Sequence, residues 1–475
     1  MAGGHDEKKP IWKHILTLYS HSTGHAFAKW LEAWKLEPVI FSTAWLILLV
    51  IIASVIDPES ISGVLSMITL LSPIWLPLYL GTMLWIVWID YIRFLFWFAD
   101  PKVLLEIELP PEVEKSPLAM EVVFSGIWNN GRETTFLDRM WKGRFRPIWS
   151  FEIASNEGRI NFYIHAPRGW KNFIEARIYG QYPEARITPV DDYVDRVPFN
   201  LREWDMWVGE YKKVNSPQAL PIKVAADFEL DKNTDVPETK VDPMTNLLEL
   251  MNNMGKDQYL WCQFIVKARQ KDEWYGVYLP KDSFIDGANE RIKKIIAGAA
   301  DRARDIARVE LHADELQQAQ IAGRGMSMLT DGEKKEIEAI DHTKGKAIFE
   351  VGARIVYVAK KEKFFGLTGG PLYRAFEAYK SDFNDFKGTR GMVGFDYPWE
   401  DFRGIRKARL KRDQFFFYKN RAYFYVPYDQ APVFMTTEEL ASLWHFPNSA
   451  VKTPGLERVA SKRGEAPANL PILPS

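Results

Sequence analysis

Two long apolar runs dominate the first hundred residues of the sequence. The first, Val39–Ile56, has 18 residues without a charge, and the second extends from Ile61 to Ala99 with its first charge at Asp90. About 20 apolar residues form a helix that spans a bilayer, and neither run has the period of an amphipathic helix. The pattern predicts a hairpin of two transmembrane helices over residues 39–99. The alternative is a buried hairpin in a soluble protein.

The charges around these runs predict the orientation of the hairpin. Five lysines precede the first run and Arg93 and Lys102 close the second, whereas the loop between the runs carries only Asp57 and Glu59. Lysine and arginine resist translocation, so both flanks are expected in the cytoplasm. The sequence therefore predicts a multi-pass protein of the inner (cytoplasmic) membrane with both termini cytoplasmic. Residues 1–38 form its cytoplasmic N-terminal segment, with an interfacial helix.

The end of the second run combines aromatic residues with two opposite charges. Asp90 and Arg93 are three residues apart, so they share a helix face and can pair. Amphipathic rings settle at the headgroup level of a bilayer. The predicted membrane anchor at the inner leaflet consists of Trp85, Trp88, Asp90, Tyr91, Arg93 and Trp97. The alternative is that the charge pair marks a proton or ion path.

After residue 100 the pattern becomes that of an α+β protein. Four segments have the alternation of strands: Val103–Leu109, Ile148–Ser155, Arg159–Ala166 and Ala185–Val190. One helical pattern starts at Pro117, and a second covers Trp170–Tyr182. The order βαββαβ is that of a ferredoxin-like domain, which we expect over residues 100–192.

A looser form of the same order follows in residues 193–447. Strand patterns occur at Trp204–Val214, Leu220–Leu230, Tyr259–Ala268, Ala347–Ala359 and Gln414–Val426, and helical ones at Pro243–Met254 and Tyr373–Phe386. A helical hairpin at about residues 284–343 interrupts it. The predicted fold class is thus α+β, with a transmembrane hairpin, two ferredoxin-like units of which the second carries the helical insertion, and a Pro-rich tail at 448–475.

Composition narrows the classes of function. The formal net charge of −1 gives no global attraction to nucleic acid or anionic lipid, and the single Cys262 excludes a disulfide framework. The Gly-Lys pairs at Gly255 and Gly345 lack the earlier glycine and the following Ser or Thr of a phosphate-binding loop. With eight scattered histidines, no metal site suggests itself. We therefore expect no cofactor and no enzymatic activity.

Two local clusters combine basic and aromatic residues. Such interleaving is typical of proteins that bind single-stranded nucleic acid, and also of surfaces near anionic headgroups. The pattern favours lipid or protein contact for the first cluster and does not choose for the second. The candidate residues are Arg139, Lys142, Arg144, Arg146, Arg406, Arg409 and Arg412.

Several segments resemble a known family. They are LLEIELPPEVEKSPLAMEVVF (104–124), WKGRFRPIWSFEIAS (141–155), FIEARIYGQYP (173–183), KAIFEVGARIVYVAKKEKF (346–364) and TTEELASLWHFP (436–447). Together they resemble membrane-anchored bacterial proteins similar to the N-terminal, pre-motor region of type IV secretion and conjugation ATPases. Longer members of that family continue into a HerA/FtsK-type motor, whereas this sequence ends at Ser475, where the motor would begin.

The resemblance implies a non-enzymatic scaffold or docking component of a type IV secretion-like apparatus for DNA or protein transfer. Its expected partners are membrane lipids and a separately encoded ATPase motor or other transfer proteins, with nucleic acid and further copies of the chain as additional candidates. The alternative function is a membrane-associated single-stranded nucleic-acid-binding protein or an unrecognised enzyme.

A short amphipathic helix near the C-terminus is the predicted contact with that motor. Its apolar face must be buried, because so short a helix does not persist alone in water. The candidate docking residues are Leu440, Leu443, Trp444, His445 and Phe446. The alternative is that Trp444 covers only the core of this chain.

Overall fold

One long apolar helix precedes the folded domain. A computed structural model describes residues 48, 51–52, 58–110, 113, 115–128, 131, 133, 135–230, 242–309, 329–365, 369–390, 401–425, 428–447, 453–456 and 458. These residues divide into two compact units, one containing those up to Trp85 together with 401–407, the other containing the rest from Ile86 onwards. Helix α1 (Pro58–Ala99) begins in the first unit and ends in the second.

Helix α1 satisfies its own backbone in a way that suits a bilayer. Its segment Ser66–Ala99 is the one described stretch that is long and apolar enough to cross a membrane. Pro73 has no amide to donate to the carbonyl of Thr69, and the hydroxyl of Ser72 donates to that carbonyl instead, at 2.7 Å. Compensation of this kind allows proline within transmembrane helices. A single membrane anchor is therefore available in α1.

The predicted hairpin is only partly covered by the described residues. Most of the first run, Val39–Ile56, and all of residues 1–38 lie outside them. The expected loop at Asp57–Ser60 needs correction, because α1 already includes Pro58 and Glu59. Proline is favoured at the first helical position, because its fixed φ suits the helix.

The second unit is built on a large antiparallel sheet of nine strands, counted over the described residues. One half contains β1 (Lys102–Glu108), β2 (Ile148–Asn156), β3 (Arg159–Pro167) and β4 (Arg186–Val190). The other half contains β5 (Trp204–Lys213), β6 (Gln258–Ala268), β9 (Ile348–Lys360) and β10 (Phe386–Arg390). Two short strands, β7 (Glu273–Trp274) and β8 (Val277–Tyr278), form a separate hairpin after β6. Two more, β11 (Phe424–Tyr425) and β12 (Tyr428–Asp429), pair with each other, and the ninth strand of the large sheet, β13 (Val433–Thr436), pairs with β9.

The strand order is the same in both halves. It runs β10-β5-β9-β6-β2-β3-β1-β4, so each half has its strands in the order fourth, first, third, second. The two halves join where β2 pairs with β6, from Ile148 opposite Lys267 to Asn156 opposite Tyr259. Each of these strands would be an exposed edge in a separate sheet, and pairing covers both edges. The segments predicted as two domains therefore share one sheet.

Five helices cover one face of this sheet. They are α2 (Pro117–Ile127), α4 (Lys171–Gln181), α5 (Thr245–Asn252), α8 (Gly369–Tyr373) and α10 (Thr437–Leu443). Phe124 of α2, Ile178 of α4 and Leu248 of α5 belong to one core with the inward-facing side chains of both halves. Alternate residues of each strand supply this core, as the period of two requires. One continuous core thus holds both halves together.

The opposite face is covered by α9 (Ile405–Lys419) and a 3-10 turn at Tyr193–Arg196. Tyr418 of α9 stacks on Trp261 of β6, with ring centroids 5.4 Å apart. The sequence predicted a strand from Gln414, because three consecutive phenylalanines favour β structure. The buried residues Lys411, Gln414 and Tyr418 instead have helical spacing, and their burial on the sheet decides the conformation.

Other predicted elements have mixed outcomes. Helices α6 (Ser283–Val309) and α7 (Asp331–Gly345) occur where the insertion was expected, and Arg291 of α6 pairs with Glu336 of α7 at 2.7 Å. The predicted strand Leu220–Leu230 is wrong, since it contains only a 3-10 turn at Ala225–Phe228. Asp227 there accepts a hydrogen bond from the amide of Val224, which favours a turn.

The segment expected to dock a partner lies in the core. Strand β13 (Val433–Thr436) pairs with β9 and leads directly into α10, where the side chains of Thr436 and Glu439 form a capping box. Glu439 also pairs with the buried Lys213 at 2.7 Å, which fixes α10 on the sheet. All five candidate side chains are consequently buried: Leu440, Leu443, Trp444, His445 and Phe446. The structure agrees with the alternative, in which Trp444 covers the core of this chain.

We expect Trp444→Ala to destabilise the protein strongly. The Trp444 ring packs against Phe151 and Phe162, with centroids 5.0 and 5.8 Å away, so truncation leaves a cavity. Loss of such a ring lowers the free energy of unfolding by about 3–5 kcal/mol. The measurement is thermal unfolding of the full chain in detergent, followed by circular dichroism. The control is Phe416→Ala, because Phe416 is exposed on α9; equal effects of the two substitutions would contradict the core role.

Candidate membrane-anchoring site

The last turns of α1 pack against the sheet unit. Ile89, Ile92 and Arg93 are buried, in contrast to the exposed apolar side chains that precede them in the helix. Further along, the Trp97 ring lies 5.8 Å from that of Phe145. The end of α1, from Ile86 onwards, therefore belongs to the same compact unit as the sheet.

Six charged side chains with little solvent contact surround this point, and we call them the charge cluster. They are the cations Arg93, Arg146 and Lys267 and the carboxylates Glu133, Glu273 and Glu350. Three positive and three negative charges balance. Balance matters because an uncompensated charge in a protein interior has lost its hydration without gaining a partner.

Arg146 is at the centre of the charge cluster. Its guanidinium lies 3.3 Å from Glu133 and 3.7 Å from both Glu273 and Glu350. Arg93 of α1 pairs with Glu273, and Lys267 Nζ lies 2.8 Å from Glu350. Every carboxylate is thus shared or directly paired with a cation, and α1 enters the network through Arg93.

Sheet register and a tight turn position these groups. Lys267 of β6 and Glu350 of β9 are directly opposite in the antiparallel ladder. Glu273 lies in the β7–β8 hairpin, whose turn residue Gly276 has φ of +84°. A side chain at Gly276 would also collide with the sulfur of Met140, so glycine is required there. This turn holds Glu273 beneath Arg93.

Two members of the cluster, Glu273 and Lys267, have pKa values that are shifted by their charged neighbours. Burial alone would raise the pKa of Glu273, but the positive charges of Arg93 and Lys267 lower that pKa below its usual value. Burial alone would lower the pKa of Lys267, but the nearby Glu350 and Tyr425 raise it. Glu273 and Lys267 therefore depend on their charged partners to stay ionised.

A second polar feature crosses the same face of the sheet beneath α9. Glu152, Gln263, Arg354 and Glu210 are opposite one another on four neighbouring strands. The Arg354 side chain donates to Gln263 at 2.7 Å, and Gln263 donates to Glu152 at 2.8 Å. Arg421 donates twice to the fully buried Glu152, at 3.0 Å each. We call Glu152, Gln263, Arg354 and Glu210 the polar row.

The polar row fixes the layer above it. Burial would raise the pKa of Glu152, but the charge and hydrogen bonds of Arg421 lower it. Tyr193 also donates to Glu152, at 2.8 Å, and lies 2.7 Å from the hydroxyl of Tyr418. The covering turn and helix α9 are therefore tied to the sheet by hydrogen bonds as well as by ring packing. In the described part of the chain, no group of three His, Cys, Asp or Glu residues is arranged to hold a metal.

Comparison with known families places most of this sheet in one of them. The model of a domain of unknown function, DUF8128, matches residues 100–384, more than half of the chain. The chain belongs to this family. No curated protein matches the sequence. The DUF8128 match includes Glu133, Arg146, Lys267, Glu273 and Glu350 of the charge cluster, but Arg93 of α1 precedes it.

Several of the predicted anchor residues contact the DUF8128 domain, and one of them is exposed. Trp88 Nε1 donates to the carbonyl of Met140 at 2.9 Å. The Trp97 ring lies 4.4 Å from Lys102 Nζ, while Tyr91 is exposed. Arg93, expected to pair with Asp90, has its ion pair with Glu273. That partner is 180 positions away in the chain, and no local pattern indicates it.

The first basic cluster is divided between the interior and the surface. Arg146 is buried in the charge cluster, and Arg139 donates to the carbonyls of Glu133 and Gly276 at 3.1 Å each. Lys142 and Arg144 are exposed and pair with Asp138, at 3.3 and 3.2 Å. Only these two can therefore meet lipid or nucleic acid with their charged groups.

The second basic cluster lies on α9. Arg406, Arg409 and Arg412 are exposed, and Arg409 lies 4.0 Å from Asp413. Arg409, Arg412 and the exposed Phe416 have the spacing i, i+3, i+7, so they share the outward face of the helix. These three side chains therefore lie at the surface of the protein, and their contact with nucleic acid or lipid stays a prediction.

Sequence reasoning did not identify the charge cluster or the polar row. A signal was present in three of the DUF8128 strands, which carry buried polar residues within apolar runs. Glu152, Gln263 and Arg354 are such residues in β2, β6 and β9. A buried strand tolerates a polar side chain only if it is paired. Three isolated polar residues in three buried strands therefore predict a network, although not its partners.

Removal of one carboxylate from the charge cluster should destabilise the protein. In Glu273→Gln, Arg93 and Arg146 lose a negative partner while remaining buried, and such losses cost about 3–5 kcal/mol. Chemical denaturation of the full chain in detergent measures the change. The control is Asp301→Asn, which breaks the exposed Arg304–Asp301 pair and should have no measurable effect. A Glu273→Gln protein as stable as this control would show that the cluster is not required.

A buried histidine predicts how stability depends on pH. His445 Nε2 lies 3.1 Å from the buried Asp242, whose charge raises the pKa of His445 above 6.5 although burial opposes it. A group whose pKa is raised by folding contributes its full stabilisation at pH values below its pKa in the unfolded protein. That stabilisation is lost as the pH rises through its pKa in the folded protein. The unfolding temperature should therefore fall as pH increases from about 6.5, and His445→Gln should remove this dependence. An unchanged pH profile in that variant would contradict the assignment.

Proposed function

We propose that this DUF8128 protein is a non-enzymatic, membrane-anchored scaffold of a type IV secretion-like apparatus for DNA or protein transfer. The observation that carries the proposal is the charge cluster, in which Arg93 at the end of the apolar helix α1 pairs with Glu273 of the large sheet domain. A buried ion pair at this place attaches the domain to its proposed membrane helix, as a docking platform at a membrane requires. The sequence resemblance to pre-motor regions supplies the type of machine.

We further propose that each half of the sheet is a ferredoxin-like unit. The strand orders β4-β1-β3-β2 and β10-β5-β9-β6 and the helices packed on one face support this interpretation. The second unit carries the α6–α7 insertion between β6 and β9. The segment 346–364, which resembles the pre-motor domain, contains β9 near the centre of the sheet. Both units are proposed to belong to the docking platform.

In this proposal the chain spans the inner membrane twice, with both termini in the cytoplasm. Cysteine labelling in intact cells tests the topology, because the native Cys262 is buried and serves as a blank. Glu59→Cys, at the start of α1 and between the two proposed spans, should react with a membrane-impermeant maleimide, whereas Asp301→Cys on α6 should react only after lysis. Reaction at Asp301→Cys in intact cells would overturn the orientation.

The scaffold role is tested by partner and nucleotide binding. The full chain purified in detergent should retain the HerA/FtsK-type ATPase of the same transfer system and should bind no ATP by itself in calorimetry. A chain lacking residues 39–85, and with them both proposed spans, should fail to support transfer in cells, because the platform is no longer held at the membrane. Stoichiometric ATP binding by the purified chain, or transfer supported by the truncated chain, would contradict a membrane-anchored scaffold.

A second candidate function is supported by the outward face of α9. Arg409, Arg412 and Phe416 present two cations and a ring on one exposed helix face, as in proteins that bind single strands. Titration with single-stranded DNA at several salt concentrations tests this function, since phosphate contacts weaken steeply as salt rises. Replacing Arg409 and Arg412 by alanine should reduce both affinity and salt dependence. Binding that is equal in the variant would exclude this face.

A further inference from the structure

Exposed apolar side chains form a patch beside the end of α1. The short helix α3 (Phe136–Met140) and the residue after it expose Phe136 and Leu137, each 61% accessible, and Trp141, 70% accessible. The β7–β8 hairpin adds Trp274 and Val277, which are also exposed. We call these five residues the interfacial patch. Large exposed apolar groups placed together mark a surface that contacts something other than water.

Direct contacts join the interfacial patch to α1. Arg139 of α3 donates to the carbonyl of Gly276 in the hairpin turn, at 3.1 Å. Trp88 of α1 donates to Met140 at 2.9 Å, and its ring lies 5.4 Å from that of Trp141. Helix α3 and the hairpin turn are therefore held against α1 at the level of Trp88.

The length of α1 indicates where that level lies in a bilayer. The apolar segment Ser66–Ala99 has 34 residues, which corresponds to about 51 Å at about 1.5 Å per residue. A hydrocarbon core is only about 30 Å thick. Because Ile89, Ile92 and Arg93 are buried in protein, the hydrocarbon must surround the earlier part of the segment. Trp88 then lies at the boundary between hydrocarbon and headgroups, where tryptophan is favoured.

Charge at the edge of the patch also fits a lipid surface. Lys142 and Arg144 are exposed and share one carboxylate, Asp138, so this edge has an excess of positive charge. Aromatic and aliphatic groups bordered by basic residues are typical of segments that lie in the headgroup region of anionic membranes. A second protein would not explain why the patch continues the aromatic belt of α1.

We propose that the interfacial patch inserts into the headgroup region of the same membrane that α1 crosses. The inference rests on the proposed membrane anchoring and adds a second attachment point. One helix would leave the domain free to rotate about the membrane normal and to tilt. Contact through Phe136, Leu137 and Trp141 removes the tilt, so that the face of the domain with the hairpin lies against the bilayer.

Spin labelling of the full chain tests the proposal. Single cysteines replace Leu137 in the patch, Val122 on α2 and Leu78 in α1, all of which are exposed apolar positions in the protein. Each variant is labelled with a nitroxide and reconstituted into vesicles of phosphatidylcholine and phosphatidylglycerol. The collision rates of the nitroxide with oxygen, which concentrates in lipid, and with a water-soluble nickel chelate are then measured.

The proposal expects the ratio of oxygen to nickel collisions at Leu137 to be several-fold higher than at Val122 and to approach that at Leu78. A ratio at Leu137 equal to that at Val122 would overturn the proposal, because the patch would then face water. Shielding of Leu137 from both reagents would also overturn it, since protein would then cover the patch. A low ratio at Leu78 would instead show that α1 is not in the bilayer, and would refute the proposed anchoring itself.

Discussion

Charge balance at the end of α1 is the constraint on which the rest of the structure depends. Arg93 can be buried there only because Glu273 is held beneath it, and Glu273 also serves Arg146. Arg146 in turn requires Glu133 and Glu350, so the network extends from the helix into the middle of the sheet. The end of α1 and the central strands are therefore parts of one electrostatic unit. A change in any of them alters the environment of the others.

The same reasoning explains why the polar row is compatible with a stable sheet. Glu152 is fully buried, yet its two oxygens accept hydrogen bonds from Arg421, Gln263 and Tyr193. A carboxylate with this many donors has exchanged water for protein without a net loss of partners. The network also fixes geometry, because the three donors come from different elements and each must be correctly placed to reach Glu152. The layer that covers this face is therefore held in one position on the sheet.

Patterns within a few residues of each other could be predicted from the sequence. Alternating apolar residues in β1 to β3 and β6, and the uncharged run of α1, depend on local periodicity and led to correct elements. Helix α9 could not be predicted in this way, because Phe415–Phe417 favour a strand by propensity and only contact with the sheet selects the helix. The order of most strands along the chain could be predicted, but the pairing that joins the two halves into one continuous sheet could not.

Contacts between distant residues account for the remaining differences. The burial of Trp444 and His445 depends on pairing of β13 with β9 and on Lys213, more than 200 positions earlier than the helix it holds. The candidate site is similar, since Arg93 and Glu273 show no sequence relation to each other. A sequence shows which polar residues are unusual within an apolar strand. It does not show which of them form hydrogen bonds or ion pairs with one another.

The identical strand order of the two halves has a consequence for how far they can resemble each other. The order reads the same from both outer edges, so an approximate dyad passes between β2 and β6, where Glu152 is opposite Gln263. Two identical halves would place the same residue on both sides of this dyad. Two glutamates there would bring two buried negative charges together, and two glutamines would leave Arg421 with Asp192 as its carboxylate partner but without the buried Glu152. The seam between the halves therefore excludes exact internal symmetry, and one side must carry the acid while the other carries its amide.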